Sequence, residues 1–420
     1  MKGRVHVIGA GLAGLSAAVR LSKAGASVTV HETAKYAGGR CRTFHDQALQ
    51  STIDNGTHLL LSGNHEVLDF LHLTGGHSQL VEAERGGLDF LDLASGERWC
   101  VDLGTGKGTL SLLKWLFDKS RQPPGLKPLG FLKDVFALKH GRGKTVAACV
   151  NTTSELYHKF WQPMTLAVLN AAPQDAAAEL IWAVLRETVI KGGAFAKPMY
   201  ATHGLGTALV DPALKVLAEG GADVHFQRRI TALDIEQGRV YCVSFAKAAE
   251  VLSVDDAVIL AVPHHSVANL VADVKAPTGS RAILNVHYQV RKAVDHPRMT
   301  GLVGGQAEWL FQRSNIASVT ISGADAWMDK DTDSIAHAVW PEIAKALGEG
   351  AEVPAYRVIK ERRATFAATP QELHKRPGPQ TLCENLYLAG DWTDTGLPAT
   401  LEGAVKSGRL AAQAVLQSWS

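Results

Sequence analysis

Apolar positions fall into short strand-like runs and helix-period stripes, and both ends of the chain carry the same local pattern. Residues 5–8 read as a short apolar strand, followed by Gly9-Ala10-Gly11-Leu12-Ala13-Gly14 and an Ala/Leu-rich helix to about Ala24. Gly25 closes that helix, and a second strand at 27–30 leads to Glu32. Near the other end, 386–389 is an apolar strand, Gly390-Asp391 an abrupt turn, and a helix starts around Pro398. Between them, 255–263 reads as a buried strand and 220–240 as a strand followed by a hairpin. Residues 62–191 are mainly helical after a hairpin-like stretch at 88–103, and 276–363 contain strands such as "AILNVHYQV" and "ASVTIS". Strands alternating with helices in one part, beside a separate mixed sheet, make an α/β fold.

The opening pattern has a chemical reason at each position. Gly9 permits the tight turn, Gly11 lets the backbone approach a pyrophosphate, and Gly14 lets helix and strand pack closely, with the helix N-terminus facing the phosphates. Glu32, 18 residues beyond Gly14, is placed to accept hydrogen bonds from a ribose, and an acid there argues against a 2′-phosphate. The turn predicts dinucleotide binding without choosing between NAD and FAD.

Composition narrows the class. A chain of 420 residues predicts two domains, and 46% hydrophobic with 20% charged residues is ordinary for a globular protein. A net charge of +2 gives no reason to invoke nucleic acid. Five scattered cysteines, with no C-x-x-C pair, suggest a reducing compartment and no structural metal. The first strand begins by about Arg4, which leaves no room for a signal peptide, and no run of about 18 apolar residues is present; the expectation is a cytoplasmic protein. His264 and His265 read as a polar loop with no third ligand at metal spacing. "GRGKT" at 141–145 is rejected as a Walker A loop, because Leu138 stands where the first glycine belongs.

"AGGRCRT" at 37–43 follows the ribose-binding acid, and a Gly-Gly turn there lets an arginine swing back to a pyrophosphate; the other reading of Arg40 and Arg42 is a solvated pair. The arrangement resembles the flavin enzymes of the glutathione-reductase second group, which include amine oxidases and phytoene desaturases. That resemblance implies FAD, held by a Rossmann-like domain interleaved with a mixed-sheet, helix-rich substrate domain. It places the FAD-binding domain at 1–61, 192–275 and 364–420 and the substrate domain at 62–191 and 276–363. It implies cofactor contacts at Gly9, Gly11, Leu12, Ala13, Gly14, Glu32, Gly38, Gly39 and Arg40, then at Gly56 and Thr57, and at Ile230 beside the adenine. At the far end it implies Gly390 and Asp391 at the ribityl or pyrophosphate region. Leu401 and Glu402 follow at the last helix's N-terminus, whose positive end would stabilise reduced flavin.

Residues 109–144 mix Leu, Trp and Phe with eight Lys/Arg and two acids. Leu112, Leu113, Leu116 and Phe117 share one helical face beside Trp115, and Phe131, Leu132, Val135, Phe136 and Leu138 form a second cluster. Such an element is either a pair of surface helices covering the core or a bilayer-interface element. "DNGTHLLLSGNHEVLDFL", "FWQPMTLAVLN", "WLFQR", "FAATPQELHKRPGPQT" and "LAGDWTDTGLPATLEGAVKSG" resemble one branch nearly end to end: the hydroxysqualene dehydroxylases, squalene-associated FAD enzymes of bacterial hopanoid gene sets. Thr57 and Ser62 depart from the Pro and small residue expected there.

This branch implies reductive dehydroxylation of a C30 isoprenoid alcohol in an apolar tunnel. It also favours contact of 109–144 with the inner face of the cytoplasmic membrane, and partner enzymes of squalene synthesis. His58, beyond the Asp54-Asn55-Gly56 turn, is the candidate acid as an imidazolium, or else a hydrogen-bond partner of a backbone carbonyl; Asp54 reads as a turn anchor. Tyr157, Tyr200, Tyr288 and Trp309 are tunnel or core. The rival readings are a carotenoid or phytoene desaturase, an amine oxidase, and a flavin-free isoprenoid escort. The intact Gly9, Gly11, Gly14, Glu32, Arg40 and Asp391 argue against the escort.

Overall fold

The structure is a computed structural model and describes residues 3–84 and 86–419. Five short strands form a parallel sheet in the order Asp223–His225, Ser27–His31, Arg4–Ile8, Ala257–Leu260 and Leu386–Leu388. Both faces are buried, as a parallel sheet requires. Val5, Val7, Val28 and Val30 pack under helices on one side, and Ile8, Val258, Leu260, Leu386 and Leu388 face the other.

The first helix, Leu12–Lys23, lies along the last, Leu401–Ser418. A Cβ on Gly408 would stand 2.1 Å from the Ala13 carbonyl oxygen, and the Ser16 hydroxyl donates to the Val405 carbonyl at 2.8 Å. The last helix starts at Leu401, later than the expected Pro398. Thr400 is extended (φ −129°) and its hydroxyl accepts the Gly403 amide at 3.2 Å, an N-cap that fixes the boundary.

A three-stranded antiparallel sheet (Ile230–Glu236, Arg239–Phe245, Ala248–Val251) packs on the other face. Between the two lies a row of stacked rings: His6, His31 and His225, with centroids 5.6 and 5.7 Å apart, and Phe245 4.7 Å from His31. His6, His31 and Glu250 bring ligand atoms within 4.8 Å of one another, the one such group among the described residues. Arg228 is ion-paired to Glu250 at 2.7 Å, and a guanidinium there opposes a bound dication.

The second sheet is built on the long strand Ser280–Val303. It pairs antiparallel with Trp309–Ile321 and Tyr356–Phe366, and parallel with Leu88–Asp92, which forms the expected hairpin with Arg98–Val101. Helix Thr332–Leu347 covers one face through Ile335, Val339, Trp340 and Ile343. Tyr288 belongs to that covered side, its hydroxyl donating to the Ala336 carbonyl at 2.7 Å, so it is core and not tunnel. Asn285, His287, Ser318 and Thr320 are buried polar residues of this sheet. The Thr320 hydroxyl donates to Asn285 Oδ1 at 2.9 Å, and His287 Nδ1 lies 2.7 Å from Ser318 Oγ.

Residues 109–144 contain helices Gly108–Trp115 and Pro128–Lys139. The expected face of Leu112, Leu113, Leu116 and Phe117 is divided. Leu112, Trp115 and Leu116 turn inward with Phe131, Val135 and Leu138, while Leu110 (74% exposed), Phe117 (76%), Leu129 (84%) and Phe136 (66%) face out beside the half-exposed Leu113 and Leu132. Spacings of three and four put each set on its own side of a helix. No helix among the described residues is long and apolar enough to cross a membrane.

Burial pushes the pKa of His31 down to about 3 and that of His287 down to about 4. Unfolding returns both to about 6.5, so the unfolded chain takes up protons first as pH falls. Their stabilising contribution is complete above about pH 6.5 and declines toward pH 4, by roughly 1.4 kcal/mol per pH unit for each. Denaturant midpoints measured from pH 7.5 to 5 are expected to fall steadily, and His287→Gln is expected to flatten the slope. A midpoint independent of pH in this window contradicts the assignment.

Candidate active site

The opening turn has the predicted geometry. Gly9 sits at φ +113° and donates its amide to the His31 carbonyl at 2.7 Å, while a Cβ on Gly14 would stand 1.9 Å from the Gly9 oxygen. A Cβ on Gly11 would meet nothing within 4 Å, so an open cradle lies over this glycine. Leu12 and Ala13 begin the helix, and their amides have no carbonyl of the helix to reach. Glu32 accepts the amides of Ala10 and Ala34, each at 2.8 Å, which fixes its carboxylate beside the turn. The chain before Ile230 runs along the same loop, with Gln227 and Arg228 amides donating to the Ala34 and Glu32 carbonyls. Gly38, at φ +103°, donates to the Ala10 carbonyl at 2.8 Å, and a Cβ on Gly39 would lie 3.5 Å from Gly11 Cα.

The two ends of the chain meet in one ion pair. Arg40 Nη2 lies 2.9 Å from Asp391 Oδ2, and its Nη1 donates to the Ala364 carbonyl; the Asp391 charge raises the Arg40 pKa. Sequence reasoning missed what lies beneath. Arg376 is buried under the closing turn, donating to the carbonyls of Asp391, Trp392 and Thr393 and to Thr395 Oγ1, with its guanidinium 5.0 Å from the Phe366 ring centroid. The signal available was an arginine standing before "PGPQT", in a segment otherwise read only for resemblance. Gly390 donates to Ser407 Oγ at 2.8 Å, and the capping of Gly403 by Thr400 leaves the Leu401 amide free at the helix mouth.

Glu402, at the same helix mouth, has its side chain engaged elsewhere. Its two carboxylate oxygens accept the Glu66 and Val67 amides, each at 3.0 Å, at the start of helix His65–Thr74, and burial pushes its pKa up to about 7. The side chain ties two helices together.

Asp54 accepts from Thr43 Oγ1, the Leu205 amide (2.8 Å) and Arg313 Nη1 (2.8 Å), and so anchors its turn. Beyond it, a Cβ on Gly56 would lie 3.3 Å from Asn285 Nδ2 and 3.8 Å from His58 Nε2. Thr57 and His58 are half-buried. Neither ring nitrogen of His58 has a hydrogen-bond partner among the described residues, so it does not hold a backbone carbonyl. Burial pushes its pKa down to about 4, against the raising effect of Asp54, so the ring is neutral at pH 7 and not a resident imidazolium. Arg40 is near enough to act on it electrostatically, which ties His58 to the junction of the two turns. His264 and His265 are likewise within electrostatic reach of Arg40, and His264 of Asp391, with His264 Nε2 2.9 Å from Ser280 Oγ. Tyr200 and Trp309 are buried, Tyr200 against Phe311 at 5.7 Å, and Tyr157 accepts from Gln174 at 3.0 Å.

With this geometry in view, the chain was compared with known proteins. The flavin-containing amine oxidoreductase family matches residues 12–416. Hydroxysqualene dehydroxylase of Rhodopseudomonas palustris is 44% identical over 417 residues, 99% of each chain. The enzyme of that name from Sinorhizobium fredii is 41% identical over 416 residues, again 99% of each. Among solved structures, cyclohexylamine oxidase from Brevibacterium oxydans superposes over 100% of both chains with a TM-score of 0.72 at 16% identity, a likeness of fold.

Proposed function

Because the chain belongs to the flavin-containing amine oxidoreductase family, in its hydroxysqualene dehydroxylase branch, we propose that it removes the allylic hydroxyl of hydroxysqualene reductively to give squalene. The observation that carries this reading is the identity to those enzymes across 99% of both chains. Its cofactor is FAD, which when bound and reduced supplies the hydride that replaces the hydroxyl.

The residues present fit that cofactor. The open space over Gly11 and the helix N-terminus at Leu12 and Ala13 suit a pyrophosphate, Glu32 suits a ribose, and Arg40 with Asp391 closes the cradle. The Leu401 amide suits the redox end, with Gly38, Gly39, Gly56, Thr57, Ile230 and Gly390 shaping the walls. Residues 1–61, 192–275 and 364–420 form the cofactor unit in this reading, and 62–191 and 276–363 enclose the isoprenoid chain. Loss of the hydroxyl as water needs one proton. If His58 is that acid, the neutral ring must first take up a proton before it can pass one to the leaving hydroxyl.

Release of a C30 hydrocarbon into water is unfavourable, and the outward row of Leu110, Phe117, Leu129 and Phe136 supplies a place to meet lipid. Lys114, Lys119, Lys127, Lys133 and Lys139 lie in the same segment, which favours an anionic bilayer surface. Leu129→Glu with Phe136→Glu is expected to lower partitioning onto phosphatidylglycerol-containing vesicles at least about tenfold, since each buried side chain contributes ~1.5–3 kcal/mol. Turnover of detergent-dispersed substrate should persist. Unchanged vesicle sedimentation would remove the membrane assignment.

The test of the reaction is anaerobic. Protein with dithionite-reduced flavin, freed of excess reductant, is mixed with hydroxysqualene while flavin absorbance and product mass are followed. Reoxidation with stoichiometric squalene is expected. A flavin that stays reduced, with the oxidised enzyme bleached by phytoene or an amine, moves the protein to the desaturase or oxidase branch.

A further inference from the structure

We infer that Asn285 and His58 form a clamp for the substrate's hydroxyl group, which sets the enzyme's preference for the alcohol over the hydrocarbon it becomes; this rests on the dehydroxylase reading above. The two side chains come from different parts of the chain, one from the first third of the long strand Ser280–Val303 and one from the loop beyond the Asp54 turn. They converge over Gly56, where a Cβ would stand 3.3 Å from Asn285 Nδ2 and 3.8 Å from His58 Nε2. The absence of a side chain at Gly56 keeps that space open.

The orientation of Asn285 is fixed from behind. Its Oδ1 accepts the Thr320 hydroxyl at 2.9 Å, which turns Nδ2 toward Gly56. Among the described residues, the bond from the Thr320 hydroxyl to Oδ1 is the hydrogen bond of this side chain, and Nδ2 faces the space over Gly56. His58 has two unpartnered ring nitrogens. Two polar side chains that converge on one open space can serve a polar group that arrives with the ligand.

The place is also right for recognition at the reacting carbon. Arg40, which joins the two cofactor turns, donates to the Ala364 carbonyl of strand Tyr356–Phe366, and that strand pairs with the one carrying Asn285. The clamp and Arg40 therefore meet the same sheet, with Asn285 opposite Ile359 on the strand that carries Ala364. A C30 isoprenoid alcohol offers one oxygen in an otherwise apolar chain, and a neutral imidazole with an amide N–H can each donate to it. Squalene has no oxygen, so it offers neither donor an acceptor. A site built to bond a hydroxyl rejects the analogue lacking it, and here that analogue is the product.

The experiment uses the oxidised, FAD-loaded enzyme, which does not turn over, with hydroxysqualene and squalene each delivered in detergent micelles. Affinities are read from perturbation of the flavin spectrum. In the wild type the alcohol is expected to bind at least about tenfold tighter than squalene. Asn285→Leu and, independently, His58→Phe are expected to bring the ratio close to one with FAD content unchanged, squalene binding as well as before or better. The His58 variant lies on a loop and guards against a folding defect in the strand variant. A ratio that survives both substitutions overturns the clamp. Wild-type conversion of hydroxysqualene alongside that result would leave the dehydroxylase reading standing, whereas a wild type that neither binds nor converts the alcohol overturns both.

Discussion

Asp391→Ala is expected to purify as a folded protein that has lost most of its yellow colour. The carboxylate is buried and holds Arg40 at 2.9 Å, linking the turn after Glu32 to the turn after the last strand. Removing it frees a guanidinium from the cradle and deletes an acceptor of charge-assisted hydrogen bonds, each contributing ~1.5–3 kcal/mol. That is roughly a ten- to hundredfold loss of FAD affinity. The turn itself should persist, because Arg376 binds its carbonyls from below whichever side chain stands at 391. Flavin-to-protein absorbance ratios, with circular dichroism as the control for folding, measure this directly. Full flavin content in the alanine variant would place the carboxylate outside the cofactor site.

The glycines of the first turn predict a sharper contrast. In Gly14→Ala the new methyl would lie 1.9 Å from the Gly9 carbonyl, a backbone atom that cannot move without opening the turn. A loss of about 3 kcal/mol or more is expected, at or beyond the upper end for core overpacking because the clash is with backbone, with little soluble protein recovered. In Gly11→Ala the methyl meets no protein atom within 4 Å, and the backbone at φ −74° accepts alanine. The flavin-free chain should then be as stable as the wild type, while the methyl fills the cradle and FAD binding falls by about a hundredfold, some 2.7 kcal/mol. Thermal melts of the two apo variants, followed by flavin titration of the soluble one, separate these outcomes. Equal destabilisation by both would mean that Gly11 is as crowded as Gly14.

What the sequence revealed and what it hid follow from range. Gly9, Gly11, Gly14 and Glu32 lie within a single βαβ unit, and local sterics dictate their spacing, so their roles were legible. The strands at 255–263 and 386–389 were legible as apolar runs, although their places in the sheet were not. The division of the 109–144 helices was hidden because the core they cover lies elsewhere in the chain: Phe131 stacks on Trp161 at 5.5 Å, a contact no local periodicity encodes. Glu402 was legible only by its position after Leu401, and the partners of its side chain, the amides of Glu66 and Val67, belong to a helix at the other end of the sequence. Asn285 was invisible for the same reason. A single asparagine in an apolar strand carries no signal until the fold sets it against Gly56.

The lengthwise packing of the first helix on the last, sealed at Gly408, has a consequence for how the protein is made. Strand Ala257–Leu260 acquires its second neighbour only when Leu386–Leu388 emerges, and 125 residues separate the two. At about 5–20 residues per second, a ribosome needs roughly 6–25 s to bridge that gap. Throughout it the nascent chain presents a bare sheet edge. Asp391 and the last helix arrive later still. The nascent polypeptide therefore carries the first half of the cradle long before the second, and a complete grip on FAD waits for the last strand and helix. In a cell that makes the polypeptide faster than it makes flavin, the surplus will be full-length and colourless.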